Sequence, residues 1–207
     1  MTDRLPDAYF ADVYATTSDP WRLAERWYEQ RKYAITMAML PNPRYRSAFE
    51  PGCSVGVLTE LLAARCDALL ATDVAQAALD TARTRLEQSG ATGAVEFERR
   101  SLDAPWPDGV DLVVVSEVAY YLAAGTLRAV LDRECPRLAP GTTILAAHWR
   151  HHVADYPMTG DEAHDVIAAT PDLHRLARYR DDDVAVEVFT VGEAASVATE
   201  TGVPGAV

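Results

Sequence analysis

From Phe49 to His148 the chain alternates short apolar runs with helical patterns, and nothing else in it constrains the fold so strongly. Arg44 to Ala48 lead into Phe49-Glu50, the end of a strand, and the apolar runs that follow are Ala68 to Thr72, ending at Asp73, then Val95 to Glu98, Val110 to Val115 and Thr142 to His148. Between them, Leu58-Leu61-Leu62-Arg65, Ala78-Leu79-Ala82-Leu86 and Thr126 to Leu138 recur at helical spacing. Strands separated by helices at this interval need crossover connections, which give a parallel sheet covered on both faces. An α/β architecture is therefore expected.

Two flanking regions break the rhythm. Upstream, Ser18-Asp19-Pro20 reads as a helix start, and a helix is predicted through Leu40, ended by Pro41 and Pro43. Its apolar stripe runs Leu23, Trp27, Ala34 and Met37, which assigns Trp27 to packing against the sheet. Downstream, Thr159-Gly160-Asp161 opens a short helix through Ile167. Leu173–Arg180 and Val184–Val191 are then separated by only three aspartates, too short for a crossover, so an antiparallel hairpin is expected. The whole chain, 1–207, reads as one domain, with 1–47 as an N-terminal helical cap and 192–207 as a flexible tail.

Composition narrows the partners. A net charge of −12 repels phosphate backbones and argues against nucleic acid. No apolar run reaches a membrane span, and Met1 to Pro6 lack a signal-peptide layout. Cys53, Cys66 and Cys135 are odd in number and form no Cys-x-x-Cys pair, as for reduced thiols in the cytoplasm.

In open parallel sheets ligands sit beyond the carboxyl ends of the strands. There this sequence places Glu50 with Gly52-Cys53-Ser54-Val55-Gly56, Asp73, Ser101-Leu102, Ser116-Glu117 and His148-Trp149-Arg150. Asp73 stands 23 residues after Glu50, which suits a carboxylate accepting from two ribose hydroxyls; a helix cap is the plain alternative. A pyrophosphate site wants Gly-x-Gly-x-x-Gly, and from Gly52 the second and third positions are Ser54 and Val57. Glu50 would also repel phosphates. A cationic nucleoside without phosphate, S-adenosylmethionine, fits this charge pattern.

Glu-Pro-Gly-Cys-Ser-Val-Gly, residues 50–56, resembles the first motif of Rossmann-like S-adenosylmethionine-dependent methyltransferases. With Ser18-Asp19-Pro20-Trp21, Tyr28-Glu29, Lys32-Tyr33, Ser116-Glu117-Val118 and Tyr120-Tyr121-Leu122, the chain looks like the nodulation protein S group of N-methyltransferases over its first three quarters. The resemblance implies a three-layer sandwich with a seven-stranded, mostly parallel sheet of order 3-2-1-4-5-7-6, its last strand antiparallel, and a helical cap over the cofactor. It implies S-adenosyl-L-methionine as cofactor, S-adenosyl-L-homocysteine as product, and cofactor contacts from Trp21, Arg31, Glu50, Gly52, Cys53, Gly56, Asp73, Val74, Ser101, Leu102, Ser116 and Val118. Ser54 stands where a middle glycine is usual and fits if its φ stays negative. Ser101 takes the place of an acid that contacts adenine; its hydroxyl or the Leu102 carbonyl would substitute.

For the reaction itself, Glu117 and His148 are the catalytic candidates, Glu117 being equally readable as a helix cap. Tyr28, Tyr120, Tyr121, Arg150 and Tyr156 are the substrate candidates, aromatic rings being attractive to cationic methyl groups. His148, His151 and His152 leave a strand rather than a helix, so no metal site is expected. The function expected is N-methylation of an amine on a small, sugar-like acceptor. The alternatives are O-methylation of a small metabolite and a non-catalytic S-adenosylmethionine-binding partner protein.

Overall fold

The computed structural model describes residues 3–90, 94–193 and 195–206. Met1 and Thr2, where the N-terminal reading begins, and Ala194 and Val207 of the tail lie outside the described residues. Two helices come first, α1 (Asp7–Thr16) and α2 (Trp27–Met39). They are followed by β1 (Tyr45–Pro51), α3 (Val57–Ala63), β2 (Cys66–Asp73), α4 (Gln76–Ser89), β3 (Ala94–Arg99), β4 (Leu112–Ser116), α5 (Ala124–Glu134) and β5 (Thr143–Trp149). The chain closes with α6 (Gly160–Ala168), β6 (Leu173–Arg180), β7 (Val184–Val191) and the single turn α7 (Val197–Glu200).

The sheet has the order β3-β2-β1-β4-β5-β7-β6, as the resemblance implies. Strands β1 to β5 pair in parallel, and β7 inserts antiparallel between β5 and β6. Asp181 makes the hairpin turn, its Oδ1 accepting from the amides of Asp183 and Val184 at 3.0 and 2.9 Å. The all-apolar run Leu112-Val113-Val114-Val115 shows why β4 is central. Alternate side chains feed two cores, Val113 and Val115 meeting Leu127, Leu131 and Ile144, and Leu112 and Val114 meeting Leu62, Leu69 and Leu145. At α6 the capping box is complete: the Thr159 hydroxyl accepts from the Glu162 amide, and the Glu162 carboxylate accepts from the Thr159 amide. Chain order reverses where β1 sits between β2 and β4, which opens a crevice above their carboxyl ends.

The N-terminal region departs from the sequence reading. Ser18-Asp19-Pro20 does not start a long helix. Asp19 accepts from the amides of Leu23 and Ala24, and Arg22 takes a φ of 56°, so the segment is a turn, and α2 begins only at Trp27. Helix α1, unforeseen, is anchored by Phe10 and Tyr14, four residues apart on one face. The stripe that α2 buries is also not the apolar one. Glu29, Lys32, Tyr33 and Thr36 point inward, whereas Trp27 is 73% exposed. Trp27 is thus not core, because the buried face of α2 looks into a polar cavity and not onto the sheet alone. In the tail, Ser196 caps α7, none of whose residues is buried. Among the described residues no helix is long and apolar enough to cross a membrane, and no group of three or more His, Cys, Asp or Glu is placed to hold a metal ion.

Candidate active site

Above the carboxyl ends of β1, β2 and β4 lies a cavity of about 430 Å³, roofed by α1, the 18–26 turn and α2. Its floor at one end is the turn after β1. The amides of Gly52 and Cys53 both donate to the Thr72 carbonyl, at 2.7 and 2.8 Å, stitching the turn to β2. A side chain at Gly52, whose φ is +76°, would lie 2.8 Å from that of Val118, so this position admits only glycine.

Ser54 has a φ of +51°, not the negative value expected. Two contacts hold it there: its amide donates to Asp73 Oδ2 at 3.0 Å, and its hydroxyl meets that of Tyr14 at 2.6 Å. The other oxygen of Asp73 accepts from the Ala75 amide at 2.9 Å. Asp73 therefore organises the turn and also lines the cavity, and it makes no side-chain cap on α4, whose N-cap is Ala75.

Glu50 is 2% exposed, lines the cavity, and its Oε2 has no hydrogen-bond partner. Burial, with Asp73 adding its charge, pushes this carboxyl up to about 8. Such an acid is unfavourable as an anion until a cation or donor arrives. Cys53, Val74, Ser101, Leu102, Ser116 and Val118 line the same space, as does Trp21, edge-on to Tyr14. Arg4 reaches the Ser101 hydroxyl at 3.4 Å, and the Leu102 carbonyl already accepts from the Trp106 indole at 3.1 Å, which leaves Ser101 as the freer acceptor.

The far end is built differently. Glu117, with a φ of +54°, follows β4 directly, held by its amide on the Ala147 carbonyl. Its Oε1 takes Lys32 Nζ at 2.7 Å, and its Oε2 takes the Trp149 amide at 2.9 Å and the Tyr120 hydroxyl. Lys32, 2% exposed, is also 2.7 Å from Glu29 Oε2 in a second ion pair. Burial works against the lysine's charge, but Glu117 and Glu29 outweigh it and hold its pKa above the ordinary value. Tyr28, Tyr120, Tyr121, Trp149 and Tyr156 form aromatic walls, with Tyr120 stacked on Tyr156 and Tyr28 edge-on to Trp149. The buried Tyr28 hydroxyl has no partner.

Four residues expected at the site do not line the cavity. Arg31 turns outward to Asp181 at 2.8 Å and to Tyr179. Arg150 is bound by both oxygens of Asp161. Gly56 serves packing, since a Cβ there would lie 2.9 Å from that of Ala82. His148 is fully buried and cannot act as a base on a substrate. Its Nε2 accepts from the Ala119 amide at 3.2 Å, its Nδ1 donates to His164 Nε2, and His164 Nδ1 donates to Glu187. The Ala119 amide on Nε2 leaves the His148 proton on Nδ1. Burial, then His164 and Lys32, hold the pKa of His148 well below 6.5. Tyr14 and Arg26 line the cavity without having been singled out in the sequence, and Glu29, Lys32 and Trp149, named there only for the resemblance or for their place at a strand end, also line it.

The family model for nodulation protein S matches residues 12–172. The chain belongs to the nodulation protein S family. A curated family member, nodulation protein S of Bradyrhizobium diazoefficiens, is 31% identical over 137 residues, 65% of each chain. The chain spans less than two thirds of the length of the curated relatives it matches, 65%, 53% and 56%. Among solved structures, a Pseudomonas syringae protein is 37% identical with a TM-score of 0.66, covering 80% of this chain and 99% of its own. The N-methyltransferase NodS of Bradyrhizobium japonicum WM9, in complex with S-adenosyl-L-homocysteine, has a TM-score of 0.79 at 22% identity, over 90% of this chain and 99% of its own. That likeness is one of fold.

Proposed function

We propose that this protein is an S-adenosyl-L-methionine-dependent methyltransferase acting on the amine of a small, sugar-like acceptor. The observation that carries the donor assignment is Glu50, a buried acid at the foot of the glycine turn whose Oε2 has no hydrogen-bond partner among the described residues. A donor with an ammonium and no phosphate suits it, and a dinucleotide does not. Family membership and the N-methyltransferase named among the structural relatives support the same reading.

The residues present fit that donor. Glu50 would take its ammonium, Asp73 its ribose hydroxyls, and Ser101 with Leu102 and Val74 its adenine. Its carboxylate would meet Arg26, because Arg4, Lys32 and Arg100, the other cations lining the cavity, already pair with acids. Arg26 has no ion pair among the described residues. When bound, the donor supplies a methyl group on a sulfonium sulfur, open to in-line attack by a nucleophile. The chain's own part is then to align the acceptor, exclude water and manage one proton. Tyr120 and Glu117 fix each other at the end of β4, and Tyr28, Trp149 and Tyr156 present ring faces to an ammonium.

Two measurements test the proposal. Fluorescence titration should show saturable binding of S-adenosyl-L-homocysteine and none of a nicotinamide dinucleotide. Radiolabelled methyl transfer to glucosamine, chitobiose, simple amines and phenols should label the amines. Label confined to phenols would overturn N-methylation, and tight binding without transfer to any acceptor would overturn the enzyme reading.

A further inference from the structure

The acceptor end holds one lysine between two carboxylates, and those carboxylates are not equivalent. Glu117 has three donors besides any ligand: Lys32 on Oε1, and the Trp149 amide and Tyr120 hydroxyl on Oε2. Glu29 has only its share of the same lysine, 2.7 Å from its Oε2, although its side chain is only 9% exposed. The cluster therefore carries one negative charge more than its lysine neutralises, and that excess is least stabilised on Glu29. Of the two carboxylates, Glu29 is thus the one with fewer partners and the one left to receive a further group.

We infer that Glu29 is the group that takes the proton from the acceptor's ammonium, with Glu117 and Lys32 as the positioning pair beside it. This rests on the proposed transfer to an amine. In the step, the N–H bond of R–NH3+ breaks, its electron pair stays on nitrogen, and the proton passes to the Glu29 carboxylate. The freed pair forms the N–C bond as the C–S bond breaks with its pair going to sulfur. Glu29, at the wall of an open cavity, then returns its proton to water. Tyr28, on the same turn of α2, lines the same space.

The groups facing Glu29 agree with this role. Lys32, Tyr28 and Tyr33 stand on its own helix, Arg26 just before it at the N-cap, and Glu117 faces it from the end of β4. Burial raises its pKa above the ordinary value against the pull of Lys32, and the charge of Glu117 adds to the rise. His148 is excluded as an alternative by its buried, doubly bonded ring.

The test needs no knowledge of the acceptor. Carboxyl-13C-glutamate NMR of the protein saturated with S-adenosyl-L-homocysteine follows each acid through pH 4.5 to 8. Glu29→Gln, Glu117→Gln and Glu50→Gln assign the signals, and Glu29→Asp stands in if the first variant is unstable. The expected result is that the signal lost in Glu29→Gln titrates at higher pH than the one lost in Glu117→Gln. In methyl transfer, Glu29→Gln should lower kcat about 100-fold, remove the acidic limb of the pH profile and leave donor affinity unchanged. A wild type that labels amines while Glu29 titrates below Glu117 overturns this role alone. A wild type that labels no amine overturns the functional reading and this role with it.

Discussion

The two ends of the cavity each hold buried carboxylates, and they hold them in opposite ways. At the glycine turn, Glu50 has no cation near it and one oxygen without a partner. At the end of β4, Glu117 is saturated by a lysine, an amide and a phenol, and shares that lysine with Glu29. A carboxylate left without a counterion is complete only with a cationic ligand. A clamped one is already complete and serves to place its neighbours. The donor end is thus built to be finished by its ligand, and the acceptor end is largely assembled beforehand.

If that contrast is right, Lys32→Met should do the most damage. It strands the buried Glu29 and the half-buried Glu117 and should cost about 3–5 kcal/mol in chemical denaturation. Adding Glu117→Gln should recover part of the loss, and a full-strength Lys32→Met protein would dissolve the contrast. Next comes Asp73→Ala. Losing a charged contact of this kind costs about 2–4 kcal/mol, or roughly 30- to 1000-fold in affinity for S-adenosyl-L-homocysteine. Because Asp73 also holds the amides of Ser54 and Ala75, Asp73→Asn should lose less than Asp73→Ala.

The third test is pH. Glu50 binds an ammonium only when ionised, so affinity should rise about tenfold per pH unit up to about 8 and then level off. Glu50→Gln should flatten that slope. The sign for stability is opposite. The folded carboxyl is raised from 4.5 to about 8, so the folded state keeps a proton that the unfolded state releases. The ligand-free protein should therefore lose stability as pH climbs through that window, and a thermal melt series with and without Glu50→Gln measures it. The smallest effect belongs to Trp27→Ala, which should change stability by no more than about 0.5 kcal/mol because the side chain is exposed. A larger loss would mean that the outer face of α2 is covered.

The donor end was readable in advance and the acceptor end only in part: Glu117, Tyr28, Tyr120, Tyr121 and Tyr156 line the cavity, but the Lys32 and Glu29 that complete that end were not singled out as site residues. Glu50, Gly52 and Asp73 lie at the ends of consecutive strands, so spacing along the chain translates directly into proximity. Gly56 shows the limit of that translation, since the same motif contains a glycine used for packing on α4. At the acceptor end Lys32 and Glu117 are 85 residues apart, and only the docking of α2 over the sheet brings them together. Arg31, one position from Lys32, points to the opposite side and pairs with Asp181, so an error of 100° around the helix exchanges a cavity residue for a surface one. The Asp19 turn added to the difficulty by delaying the helix to Trp27.

The sequence alone determined the sheet, its order through the family resemblance, the hairpin that inserts the last strand, and the acids of the donor end. These follow from local periodicity and short spacings, which a chain carries within itself. Tertiary structure decided which face of α2 is buried, that His148 is sealed away from the cavity, and that Glu117 is clamped while Glu29 is not. The turn at Ser54 belongs with them, its positive φ imposed by Asp73 and Tyr14. Each of these depends on partners far away in sequence, and the energy of a buried charge depends on all of its partners together.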